Sequence, residues 1–129
     1  MPGLIFGIKF GERNVEVPRI APESLRQLLE REGVLLLDVR DEDQWLVGRE
    51  MIKGAKRKNP KNAHEWGKGL GRDKEIVLYC SAEDEAVSAT VAKKLLKMGF
   101  SHVSVLRGGW LSWKREQLPT SKRTSSGLL

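Results

Sequence analysis

Glu75-Ile-Val-Leu-Tyr-Cys-Ser-Ala-Glu-Asp-Glu-Ala-Val-Ser-Ala-Thr-Val-Ala-Lys-Lys-Leu-Leu-Lys-Met-Gly99 decides the fold, because it reads as a short apolar strand, a polar turn and an amphipathic helix. Ile76 to Tyr79 is a continuous β-branched, aliphatic and aromatic run, the pattern of a strand buried on both faces in a parallel sheet. From Ala86 the period changes. Val87, Val91 and Leu95, with Ala92 and Leu96 beside them, form one apolar stripe. Lys93, Lys94 and Lys97 place cations where the helix dipole favours them, and Gly99 supplies the stop. Cys80, the single cysteine of the chain, sits at the hinge. Backbone N–H groups of the turn and the first helical turn lack intrahelical partners, so they converge on whatever lies at the strand's carboxyl end. Here that is the Cys80 sulfur. Such donors favour a thiolate and can hold an anion attached to it. A lone cysteine is otherwise a small buried hydrophobe, but the end of a strand before a helix N-terminus is where open α/β sheets place their ligand crevice.

Upstream, Pro22-Glu-Ser-Leu-Arg-Gln-Leu-Leu-Glu-Arg31 has Pro and an acid in its first turn, Leu25, Leu28 and Leu29 at helical spacing, and Gly33 as a stop. Val34-Leu-Leu-Leu-Asp-Val39 reads as a second buried strand. Asp41 to Val47 reads as a short helix with Asp41 as N-cap. Lys53-Gly-Ala-Lys-Arg-Lys-Asn-Pro-Lys61 packs five cations into nine residues. Such a run is ordinarily a solvated loop; its functional reading is a positive field, centred on Lys56, Arg57 and Lys58, that steers an anionic substrate toward the sheet. His64, Trp66 and Leu70 mark another short helix. Downstream of the cysteine, His102 to Leu106 reads as a strand and Trp110 to Glu116 as a short helix. Residues 1–18 read as an N-terminal arm or edge strand, 19–118 as one domain, and 119–129 as a flexible polar tail.

At 129 residues and 40% hydrophobic content the chain forms one globular domain. One cysteine excludes an internal disulfide and a thiol-rich zinc site, and suits a reducing, cytoplasmic setting. His64 and His102 have no ligand-spaced partners, so no metal is expected. No apolar run approaches the roughly 18 residues of a membrane span, and the glycine-broken start is a poor signal peptide. The net charge of +6 raises nucleic acid as a partner, but the cations are interleaved with 17 acids, so neither nucleic acid nor membrane is expected. Nothing in the sequence sets the oligomeric state.

Strand, helix, strand, helix, strand in this order specifies βα units on a parallel sheet. From about Arg19 to Leu118 the chain resembles a single rhodanese domain. The residues that carry the resemblance are Leu35-Leu-Leu-Asp-Val-Arg40, Ile52-Lys-Gly-Ala55, Ile76-Val-Leu-Tyr-Cys80 before a six-residue loop, and Leu106-Arg-Gly-Gly-Trp110 with Trp113. The resemblance implies an α/β fold, a five-stranded parallel sheet flanked by helices. It implies no cofactor, and a catalytic Cys80 that takes sulfane sulfur as a persulfide. The donor would be a small sulfur compound (thiosulfate, polysulfide or persulfide) and the acceptor a thiol or a protein. Ser81, Ala82, Glu83, Asp84, Glu85 and Ala86 form the substrate loop.

The chain departs from the family pattern at two places. Many active rhodaneses carry glycine and a basic residue in the loop, whereas Cys80-Ser-Ala-Glu-Asp-Glu85 offers three consecutive acids. The usual His-Ile-Pro-Gly-Ala reads Met51-Ile-Lys-Gly-Ala55. Because carboxylates suit a helix N-terminus and three buried beside a thiolate would be costly, all three acids are expected to face solvent. They should disfavour dianionic thiosulfate and suit a less charged donor or a basic protein partner. A rhodanese-like binding or regulatory module with little turnover is the alternative. A cysteine phosphatase of related fold needs a longer loop closing on arginine, and six residues after the cysteine stands Ala86. A redox sensor would lack a resolving cysteine.

Overall fold

The computed structural model of the chain describes residues 16–81 and 85–123. In chain order the elements are β1 (Arg19–Ile20), α1 (Pro22–Leu28), β2 (Val34–Asp38), α2 (Glu42–Val47), β3 (Glu50–Ile52), β4 (Lys56–Arg57), a 3-10 turn (Pro60–Asn62), α3 (Ala63–Gly67), β5 (Glu75–Tyr79), α4 (Ala86–Lys97), β6 (Val103–Leu106), α5 (Gly109–Arg115) and β7 (Thr120–Lys122). Five strands form one parallel sheet in the order β1-β6-β5-β2-β4, as expected, and β3 and β7 form a separate antiparallel pair.

The apolar run of β5 explains its central place. Ile76 and Leu78 point into a cluster with Val91, Ala92 and Leu95 of α4, while Val77 and Tyr79 point to the opposite face, against Leu25 of α1 and Trp113 of α5. These four side chains are fully buried. A strand with helices on both faces has no polar side to show, so period-2 alternation vanishes from its sequence. At about 1.5–3 kcal/mol for each large apolar side chain buried, this strand anchors both halves of the core. α1 ends sooner than its periodicity suggests: Glu30 and Arg31 donate to Gln27 and Leu28 instead of continuing the α pattern, and Gly33 takes a positive φ of 88°.

Two expectations fail here. The stretch from Thr120 was read as a disordered tail, yet Thr120–Lys122 pairs with Glu50–Ile52, and Pro119 accepts from both Lys53 N and the Trp113 indole. Backbone pairing holds this strand, so no apolar pattern announces it. The cationic run was read as a loop, yet Lys56 and Arg57 pair in parallel with Leu37 and Asp38 as the sheet's edge. Of the N-terminal arm, residues 1–15 lie outside the described residues; the edge strand that follows it is the short β1, beside β6.

At the carboxyl edge of the sheet a carboxylate is fully buried. Asp38 accepts from the Arg40 backbone N–H at 3.1 Å, from the Arg40 guanidinium at 2.6 Å and from the Tyr79 hydroxyl at 2.6 Å. The Tyr79 oxygen in turn accepts from Ile52 N at 3.1 Å, which ties β5 to β3. Arg57 Nη1 lies 3.8 Å from the same carboxylate and donates to the Arg40 carbonyl. Burial, followed by the neighbouring Asp38 charge, pushes the Tyr79 phenol well above its ordinary value, so it stays a donor.

Replacing Asp38 with Asn should therefore cost about 3–5 kcal/mol, because it leaves buried cations uncompensated. Tyr79→Phe should cost about 1–3 kcal/mol, the cost of orphaning the Ile52 N–H. Urea unfolding at neutral pH checks the order; a Tyr79→Phe loss equal to that of Asp38→Asn would show that the carboxylate does not organise this edge.

Candidate active site

Cys80 follows β5 directly and is 1% exposed. Its carbonyl accepts from Trp110 N at 2.8 Å, so the start of α5 holds the backbone on which the thiol rides. Its sulfur accepts from Ser88 N, in the first turn of α4, at 3.4 Å, and lies 3.5 Å from Ser88 Oγ. The Ser88 hydroxyl also reaches the Glu85 carbonyl at 3.3 Å. A hydroxyl has one proton to give. With a thiol at Cys80 it donates to Glu85 and accepts from sulfur; with a thiolate it can turn and donate to sulfur. The arrangement thus offers the sulfur one fixed donor and one switchable donor at the N-terminus of a twelve-residue helix. Ser88 was absent from the sequence reading. Its signal was there: with Val91, Ala92 and Leu95 it forms the buried face of α4, so it is a polar residue heading an apolar stripe.

Of the loop residues, Ser81 is half-buried at the strand end, Ala86 is exposed as the first residue of α4, and Ala82, Glu83 and Asp84 lie outside the described residues. Glu85 overturns an expectation. Read as facing solvent, it is 5% exposed and turned inward. Its carboxylate takes both Nε and Nη2 of Arg19, at 2.8 and 2.6 Å, and the Gly108 N–H at 2.9 Å. Two guanidinium donors and one backbone N–H make burial of this acid favourable where burial of three acids in a row would not be. Its backbone is left-handed, φ 62°, a conformation glutamate adopts at a cost of about 1 kcal/mol. Gly108, which also has a positive φ, admits no Cβ because one would stand 1.9 Å from Ser112 Oγ. Glu85 therefore fastens the end of the loop to β1 and to the β6–α5 turn. The Arg19 hydrogen bonds, opposed by burial and aided by the Gly108 N–H, hold its carboxyl below the ordinary range.

Among the proposed steering cations, Lys56 is exposed and Lys58 half-buried. Arg57 is not available for steering: its side chain is 4% exposed and committed to Asp38 and the Arg40 carbonyl. Burial first, and Arg40 after the opposing Asp38 charge, lower its pKa. Arg19 and the Trp110 N–H were likewise unforeseen, the first because its partner lies 66 residues away and the second because backbone donors leave no mark in a sequence.

The rhodanese-like domain model matches residues 21–116. A Synechocystis protein, slr1261, is 32% identical over 107 residues, which cover 80% of this chain and 55% of that protein; the chain thus spans about half the length of this relative. The thiosulfate sulfurtransferase GlpE of Pseudomonas aeruginosa is 34% identical over 109 residues, covering 84% of this chain and 92% of that protein. The solution structure of the rhodanese-like domain of the Anabaena Alr3790 protein superposes with a TM-score of 0.69 at 26% identity, over 82% of this chain and 80% of that one.

The Glu85 pairing has a pH signature. Its depressed folded-state pKa means that the unfolded chain binds the proton more readily, so the stabilisation is complete above the ordinary value of about 4.3 and is lost as pH falls through the folded value. Glu85→Gln should melt lower than the wild type at about pH 7, with a gap that narrows on acidification to about pH 3. A gap independent of pH would mean that the carboxylate is not held by Arg19 and Gly108.

Proposed function

The chain belongs to the rhodanese-like domain family, and from that premise we propose that it is a sulfurtransferase carrying sulfane sulfur on Cys80 as a persulfide. The observation that carries this reading is Cys80 at the end of β5, with Ser88 N–H at its sulfur. The Cys80 thiolate attacks the outer sulfur of a donor. With thiosulfate, the new S–S bond forms as the old one breaks, and sulfite leaves with the electron pair. The terminal sulfur of the persulfide is then taken by a thiol or other thiophile, and Cys80 departs again as thiolate. Electrons balance without an external oxidant, and no second base is needed.

Charge sets donor preference. With Glu85 neutralised by Arg19, the loop's remaining acids are Glu83 and Asp84, which oppose dianionic thiosulfate more than a polysulfide or a protein persulfide. Thiosulfate turnover is accordingly weak in this reading. Lys56 and Lys58, without Arg57, supply the compensating field. The near-complete burial of Cys80 favours a second reading, a domain that docks partners with little turnover.

Intact-mass spectrometry after incubation with a polysulfide should show one sulfur added to the wild type and none to Cys80→Ser, and Ser88→Ala should acquire it more slowly. A wild type that takes up no sulfur would select the docking reading. Replacing Lys56 and Lys58 together with Ser should lower the apparent second-order rate with thiosulfate by roughly threefold at low salt and flatten its salt dependence. An unchanged rate would leave these lysines as ordinary solvated residues.

A further inference from the structure

An open cleft of about 1060 Å3 is lined, among the described residues, by five cationic side chains, Arg40, Arg49, Lys114, Lys122 and Arg123, and a single acid, Glu50. Cys80 does not line it. The cleft meets the cysteine's surroundings through Trp110, which lines it and whose N–H holds the Cys80 carbonyl.

The charge in this cleft is not balanced from within. Arg40 is committed to Asp38, and Lys114 to Glu50. Arg49, Lys122 and Arg123 take part in none of the ion pairs among the described residues. The β3–β7 pairing brings them together, since Arg123 N donates to the Arg49 carbonyl at 2.9 Å and Lys122 sits opposite Glu50. Arg49 and Arg123 are like charges brought side by side, which is unfavourable, and Glu50, the acid opposite Lys122, is already bonded to Lys114. Arg123 also carries a cost of its own: its guanidinium lies 5.3 Å from the Trp45 ring centre, and Nη1 is buried with no hydrogen-bond partner among the described residues. An orphaned, charged N–H donor is what an incoming anion would satisfy.

Beside these cations the end of α2 presents two aliphatic side chains to the same cleft, Leu46 at 48% and Val47 at 75% exposure. They are two of the three large hydrophobic residues exposed among the described residues. An inorganic anion would use neither these side chains nor a cleft of this size. We propose that the cleft docks an acidic segment of a partner protein, with carboxylates on Arg49, Lys122 and Arg123 and an aliphatic side chain against Leu46 and Val47. The acidic loop alone suggested a basic partner; the cleft selects the opposite charge. This docking is independent of the chemistry at Cys80.

The test uses the full chain and a fluorescein-labelled peptide of Glu and Leu residues, read by fluorescence anisotropy at low salt. Saturable binding is expected, weakened about tenfold when Arg49→Glu and Lys122→Glu are combined, weakened also by Leu46→Ser with Val47→Ser, and unchanged in Cys80→Ser. Because Arg49, Lys122, Leu46 and Val47 are exposed, these variants should keep the wild-type circular dichroism spectrum. Peptides in which Gln or Lys replaces Glu should not bind. No binding of the Glu and Leu peptide, or binding indifferent to the charge reversal, overturns the proposal. Displacement by inorganic phosphate at matched ionic strength, with no effect of the Leu46 and Val47 changes, also overturns it, in favour of a small-anion site. An oligonucleotide that competes as well as the peptide would reduce the cleft to a general polyanion surface.

Discussion

One buried carboxylate shared by two arginines governs the edge of the sheet at which Cys80 stands. Asp38, Arg40 and Arg57 are all shielded from water, and together carry one negative and two positive charges. Such a group is costly to desolvate and does not stabilise a fold merely by existing. What it does is fix geometry. Asp38 and Arg57 are register partners across β2 and β4, and Asp38 faces Tyr79 across β2 and β5, so one carboxylate holds the ends of three neighbouring strands level. The excess positive charge is spread over aromatic faces. Arg40 lies 5.5 Å from the Trp45 ring centre and 4.8 Å from that of Trp110, and Arg57 lies 5.0 Å from Trp45. Cys80 is the next residue after Tyr79, so the network sets where the strand stops and the loop begins.

Glu85 uses charge in the converse way. Here a single acid gathers donors from two other parts of the chain and brings a left-handed residue to the mouth of α4. The resulting carbonyl accepts both the Ala89 N–H, starting the helix, and the Ser88 hydroxyl, next to the sulfur. The acid that seemed to oppose a thiolate thus serves to position the helix end that faces it.

The three inner strands of the sheet, both principal helices and the cysteine at the end of β5 were legible because they rest on apolar periodicity, which a single stretch such as Ile76–Leu95 displays in full. What was not legible rests on pairing between distant residues. Thr120–Lys122 is polar and owes its strand to backbone bonds with Glu50–Ile52. Arg57 looks like any member of a basic run until the register sets it beside Asp38. Glu85 looks like its two acidic neighbours until Arg19, far away in sequence, closes on it. For Arg57 and Glu85 the charge is visible in the sequence and its compensation is not, so the sign of the local field was readable but its availability to a ligand was misjudged.

Trp110 joins these devices mechanically. Its ring stacks on Tyr79 at 6.3 Å with planes 24° apart and carries Arg40 on its face, while its backbone N–H is bonded to the Cys80 carbonyl. The two glycines before it, Gly108 and Gly109, both have positive φ, and Gly108 is the residue that Glu85 grips. The wall of the cleft and the backbone of the cysteine thus meet in one residue: Trp110 lines the cleft and holds the Cys80 carbonyl with its N–H, while Glu85, on the Gly108 N–H, braces the turn behind it.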